Sequence, residues 1–198
     1  MVAAFLQAEI YSSRWGSHVR AHMAHAGVTE AMVETPNLAD VSENERRAAV
    51  LTSFRGWRTR TVLFSGWPDG ISWHRTILTP SDIPHIRYAN APEWKSLSRG
   101  TWMAAVGAER IAANDVHIEA GVPVAAINGI RQAIAAGKTF PPIIAVGPPS
   151  GRVVIVVEGH SRVTAYLASG FPERLEIIYG ATPLNRLIGW SYFPADPA

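Results

Sequence analysis

Eighteen consecutive residues constrain this chain more than any others: Val153-Val-Ile-Val-Val-Glu158-Gly159-His160-Ser161-Arg162-Val-Thr-Ala-Tyr-Leu-Ala-Ser-Gly170. The β-branched run over 152–157 predicts a buried strand. Glu158-Gly159-His160 breaks it, and 161–169 predicts a helix stopped by Gly170, with Pro172 beyond. A strand that turns through glycine directly into a helix presents the first backbone N–H groups of that helix at the strand end. Those unpaired donors and the positive end of the helix dipole favour an anion. Gly159 permits close backbone approach, while Ser161, Arg162 and His160 add side-chain donors. Glu158 reads two ways: beside the anion it orients a substrate amine or Mg²⁺, or it is a strand-end acid in solvent.

The surrounding pattern is of α+β or α/β type with one core sheet. Helices are expected over 17–26 and 43–52, the second capped by Asn37 or Ser42. Strands are expected over 60–64 and 71–78, joined as a hairpin around Pro68-Asp69-Gly70. A helix or turn starts at Thr79-Pro80. Further on come helices over 104–113 and 123–136, the latter stopped by Gly137, then strands over 142–146, 152–157 and 175–179. The chain of 198 residues is expected to form a single domain, with 1–105 as an N-terminal elaboration, 106–180 as the core and 181–198 as a tail.

Composition narrows the chemistry. The sequence contains no cysteine, which removes disulfides, thiolate zinc sites, redox relays and cysteine nucleophiles. The formal net charge is +2, so a strongly basic nucleic-acid coat is excluded and nucleic acid is not an expected partner. The N-terminal segment has no basic leader pattern and the apolar run 153–157 is too short to span a bilayer, so the expectation is a cytoplasmic protein without a membrane partner. Seven tryptophans stand out, five of them between Trp57 and Trp102.

Upstream of the strand–glycine–helix segment, Asn128 to Gly137 and Pro142 to Val146 supply a helix ending in glycine and a proline-led strand. With Gly159-His160-Ser161-Arg162, this order over roughly residues 115–180 resembles the ParB/sulfiredoxin-like fold superfamily. The resemblance implies a mixed sheet with flanking helices. Its members include nucleotide- and DNA-binding ParB proteins, sulfiredoxins, free-serine kinases and bacterial Pictet–Spengler enzymes that build β-carbolines from tryptophan and an aldehyde. Sulfiredoxin chemistry is excluded by the missing cysteine. Chromosome partitioning is disfavoured, because a strand and a Pro-rich tail follow Gly170 where ParB continues into a helix-turn-helix.

The first functional expectation is therefore a Pictet–Spengler-type enzyme for small-molecule substrates, with no cofactor. The helix start holds the amino-acid carboxylate, and a carboxylate base removes the indole-carbon proton after cyclisation of the iminium. The alternative is a kinase of a free amino acid or metabolite, using a nucleotide and Mg²⁺. A third is a ParB-like regulator without catalysis. A homodimer is expected.

Glu93 is the candidate catalytic acid–base. It lies in Tyr88-Ala-Asn-Ala-Pro-Glu93-Trp-Lys-Ser-Leu-Ser-Arg-Gly-Thr-Trp102, where an acid among indoles suits proton transfer. Its plainer reading is a helix-start glutamate behind Pro92. His74-Arg75 and His85 are candidates to line the pocket and meet a carboxylate or carbonyl. His18, His22 and His25 share a helical face, but His18 and His25 lie about 10 Å apart along it, so no metal site is expected. Gly137-Lys138-Thr139 lacks the upstream glycine of a phosphate loop and ends a helix instead of opening one. Tryptophan and arginine interleave from Arg55 to Arg75, a pattern that suits either single-stranded bases or an aromatic core.

Overall fold

A computed structural model describes residues 1–12, 14–116 and 121–194. The chain divides into two compact units, 1–67 and 68–198. The break falls before the sheet begins, so residues 68–105 belong with the unit that contains 106–180.

The first unit is helical. It contains α1 (Val2–Glu9), α2 (Gly16–Ala26), α3 (Glu30–Glu34), α4 (Val41–Arg55) and a 3-10 turn, Val62–Phe64. Leu6 and Ile10, then Val19 and Met23, recur four residues apart, which places each pair on one face of a helix. With Val28, Val33 and Val50 they form a buried cluster. Burying each such side chain contributes about 1.5–3 kcal/mol. The α4 cap is Asp40, whose carboxylate accepts the Glu43 N–H at 2.9 Å, so neither Asn37 nor Ser42 has the expected role. Arg47, 1% exposed, ties the unit together. Its guanidinium donates to Met32 O, Asn37 O, Glu43 Oε2 and Asn44 Oδ1 at 2.8–3.0 Å.

The strand expected over 60–64 is absent. Arg60 and Val62 have φ of 52° and 51°, and Gly56, at φ 76°, is pressed against Thr61. The chain is thereby folded too tightly to extend, and Phe64 turns inward as a fully buried ring against Trp57 and Trp67. Without that strand, no hairpin forms around Pro68-Asp69-Gly70.

The second unit is a mixed α+β layer. Its strands are β1 (Ser72–Leu78), β2 (Ile86–Arg87), β3 (Ile143–Gly147), β4 (Val154–Glu158) and β5 (Leu175–Ala181). Their spatial order is β1-β5-β3-β4-β2. β1 runs antiparallel to β5, β5 parallel to β3, β3 antiparallel to β4 and β4 parallel to β2. The helices are α5 (Pro92–Leu97), α6 (Ala104–Ala112), α7 (Val124–Ala135), α8 (His160–Ala168) and α9 (Leu184–Leu187).

The main core forms where one face of the sheet meets these helices. Ile86, Ile143, Ala145, Val154, Val156 and Ile177 pack with Leu97, Ile111, Ile127, Val163 and Ala165. The alternating residues Ile144, Val146, Ile155 and Val157 are also buried, so the central strands are continuous apolar runs without polar alternation. Gly107 allows α6 to approach the sheet: a Cβ there would lie 2.6 Å from the Tyr88 hydroxyl. Among the described residues, no helix is long and apolar enough to cross a membrane.

Candidate functional site

The strand–glycine–helix element forms as its sequence requires. β4 ends at Glu158, Gly159 takes the left-handed conformation at φ 99°, and α8 starts at His160. A Cβ on Gly159 would lie 2.9 Å from Arg162 Nη2 and 3.1 Å from Ile143 Cγ1. Only glycine satisfies both that backbone angle and that crowding.

The crowding comes from Arg162 itself. Its guanidinium folds back over Gly159, donating to Glu158 Oε1 at 2.7 Å and to Pro141 O at 2.8 Å. Both side chains are largely buried, at 7% exposure for Arg162 and 19% for Glu158. The two charges expected to meet a substrate therefore meet each other. They fasten the strand end to the helix start, and Glu158 is neither a solvent-facing acid nor an unengaged ligand for an amine or metal.

His160 is fixed equally closely. Its Nε2 accepts the Ala89 N–H at 3.2 Å, which leaves the proton of the neutral ring on Nδ1. Burial, with Arg162 nearby, pushes its pKa down to about 3, so the imidazole is uncharged at neutral pH. The ring stacks on Trp94 at 5.0 Å and 15°, and on Tyr88 at 6.0 Å and 28°. Below it, Thr164 Oγ1 donates to His160 O at 2.7 Å and lies 2.6 Å from the Tyr88 hydroxyl, which also donates to Ala104 O at 3.3 Å. Burial raises the Tyr88 pKa, which keeps the hydroxyl protonated.

The first amides of α8 precede its first internal bond, Val163 N–H to Gly159 O, and have no acceptor within the helix. Ser161 adds a hydroxyl to this turn, half-buried. The helix start therefore offers backbone donors, one hydroxyl and a neutral imidazole, with the guanidinium engaged behind them.

Glu93 stands in the first turn of α5, directly before Trp94, half-buried with its Cβ close to Gly121. The Trp94–His160 stack thus brings the Glu93 helix to the start of α8 from a point 66 residues earlier in the chain. Ser98 holds the rest of this loop: its hydroxyl donates to Trp94 O at 2.8 Å and accepts the Trp102 N–H at 3.0 Å. That contact stabilises Trp102 at φ 61°, a rare angle for a buried indole.

The other candidates lie elsewhere. His74 and Arg75 are on edge strand β1, separated from β4 by β5 and β3, or about 14 Å of sheet. Arg75 pairs with Glu176, and His74 packs against Tyr179. His85 precedes β2, where Ile86 lies opposite Val154. It is therefore at the beginning of β4, about 15–20 Å along the strand from Gly159. The histidines of α2 are engaged locally: His18 against Trp15, His22 with Ser53 Oγ at 3.0 Å and His25 with Ala21 O at 2.7 Å.

Tyr88, Ala89 and Thr164 join the site without having been singled out from sequence. Thr164, four residues after His160 on the inner side of α8, carries the one signal available: a buried hydroxyl that needs a partner. Comparison of the chain with protein-family models, curated proteins and solved structures finds no match.

Proposed function

We propose that the second unit is a ParB/sulfiredoxin-like domain acting as a small-molecule enzyme. In this reading α8 receives the carboxylate of an amino-acid substrate, and the chemistry is Pictet–Spengler-type condensation of tryptophan, or a related amine, with an aldehyde. The observation that carries it is the Trp94–His160 stack, which holds the Glu93 helix beside a helix start supplied with free amides. The substrate carboxylate would bind the His160, Ser161 and Arg162 amides and the Ser161 hydroxyl. His160, being neutral, adds hydrogen-bonding capacity without an opposing charge. Glu93 is the acid–base group. After the amine and aldehyde lose water to give an iminium, the indole carbon attacks it. Glu93 then accepts the proton from that carbon, restoring the aromatic ring. Arg162 and Glu158 are positioning residues, since they act through the geometry of Gly159.

A thermal-shift series tests this. Stabilisation by L-tryptophan and not by ADP with Mg²⁺ or by CTP is the expected result. Stabilisation by the nucleotides alone would replace it with the kinase or regulator reading. Glu93→Gln is expected to retain the tryptophan shift and lose β-carboline formation from an added aldehyde; wild-type turnover would remove Glu93 from the mechanism.

A further inference from the structure

The first unit contains a cleft of about 330 Å³ between the start of α1, the middle of α4 and the 56–62 loop. That volume is within the range of small-ligand sites. Its walls are apolar, formed by Val2, Leu38, Ala48 and the Trp57 indole, and its lining also carries Glu45 and Arg58. These two side chains meet at 2.7 Å and are 58% and 51% exposed. Arg47 also lines the cleft, but its charge is met by Glu43 at 2.9 Å and it already donates to four acceptors, so Glu45 and Arg58 are the pair left to meet a ligand.

The loop that presents Trp57 and Arg58 has an unusual backbone. Arg60 and the β-branched Val62 have φ near +50°, and a Cβ on Gly56 would lie 2.3 Å from Thr61 O. Thr59 and Thr61 join their hydroxyls at 2.9 Å across the bend. Trp57 is fixed edge-on by Phe64 at 4.7 Å and Trp67 at 6.2 Å. Strain of this kind persists where the surroundings over-determine it, and it concentrates at ligand sites. Here it holds an indole and a guanidinium opposite a carboxylate.

We propose that this cleft binds a free α-amino acid with an apolar or aromatic side chain. Arg58 takes the ligand carboxylate, Glu45 takes its ammonium group, and the side chain lies along Trp57 and Leu38. One charge of each sign matches a zwitterion; a lone anion or cation leaves one of the two unbalanced. Parting the Glu45–Arg58 pair costs little, because exposed pairs contribute little to stability. This site is independent of the α8 helix start.

Isothermal titration with L-phenylalanine, 3-phenylpropionate and L-phenylalaninamide tests the proposal, using wild type, Glu45→Gln and Arg58→Gln, with melting curves to verify folding. Saturable L-phenylalanine binding is expected, weakened at least about tenfold in either variant, with both single-charge analogues bound at least about tenfold more weakly than the amino acid. Equal affinity in the folded variants, equal affinity for an analogue, or no saturable binding to wild type would overturn it. Binding that survives Arg58→Gln and is lost in Ser161→Val would refute the cleft and leave the α8 reading intact.

Discussion

Arg47 in the first unit and Arg162 in the second are both buried, and each pairs with the glutamate four residues before it. Glu43 and Arg47 lie on one continuous helix. The arginine there uses two further main-chain carbonyls and an asparagine, so its donors reach α3 and the segment that follows it and are consumed in doing so. Glu158 and Arg162 instead straddle a strand, a glycine and a helix. Their pair closes over Gly159 and spends its other bond on Pro141 O. The same pairing chemistry makes a sealed joint in one unit and a brace in the other, and the braced helix start keeps its own amides unspent.

The comparison is broken first by removing each arginine. Arg47→Ala leaves Glu43 and three neighbouring acceptors without their donor and is expected to cost about 3–5 kcal/mol in urea unfolding. Arg162→Ala is expected to cost somewhat less, about 2–4 kcal/mol, because Arg162 serves two acceptors where Arg47 serves four. If the two losses are equal, the brace is as sealed as the joint. Gly159→Ala follows at about 1–3 kcal/mol, from the left-handed backbone and the 2.9 Å approach to Arg162. This variant is also expected to lose the tryptophan shift.

Titration sharpens the second half of the comparison. His160 has its folded pKa lowered from 6.5 to about 3, so between those values the unfolded chain binds the proton more readily. Its contribution is fully present above pH 6.5 and is lost progressively as pH falls towards 3. Urea midpoints at pH 7 and pH 5 should differ more for wild type than for His160→Gln, whose amide oxygen can still accept the Ala89 N–H. The smallest effect is expected for Arg75→Ala. It breaks an exposed pair with Glu176 and should change stability by no more than about 0.5 kcal/mol, without altering ligand binding at α8.

Much of the second unit was legible in sequence because its signals are local. β-branched runs, glycine stops and a proline-led strand place β3, β4, β5, α7 and α8 within a few residues of their expected bounds. The first unit yielded less. Residues 60–64 carry strand-forming side chains, yet the positive φ angles at Arg60 and Val62 arise from Gly56 folding onto Thr61, a contact that periodicity does not encode. At the site, the glycine turn was legible. The reach of Arg162 back to Glu158 was not, because a charged pair four residues apart reads equally as two substrate contacts. The His160–Trp94 stack and the Tyr88–Thr164 bond join residues 66 and 76 positions apart and emerge only when the sheet sets β2 beside β4. His74 and His85 failed to gather for the same topological reason: strand order puts one on the far edge and the other at the wrong end of β4.

The central claim is that the α8 start receives an amino-acid carboxylate. Its most direct test is a titration of ¹⁵N-labelled protein with L-tryptophan, following the His160, Ser161 and Arg162 amides. The account predicts saturable shifts of those three amides with L-tryptophan and none with L-tryptophanamide, which lacks the carboxylate. Three stationary amides, or shifts of equal size with the amide ligand, would contradict it.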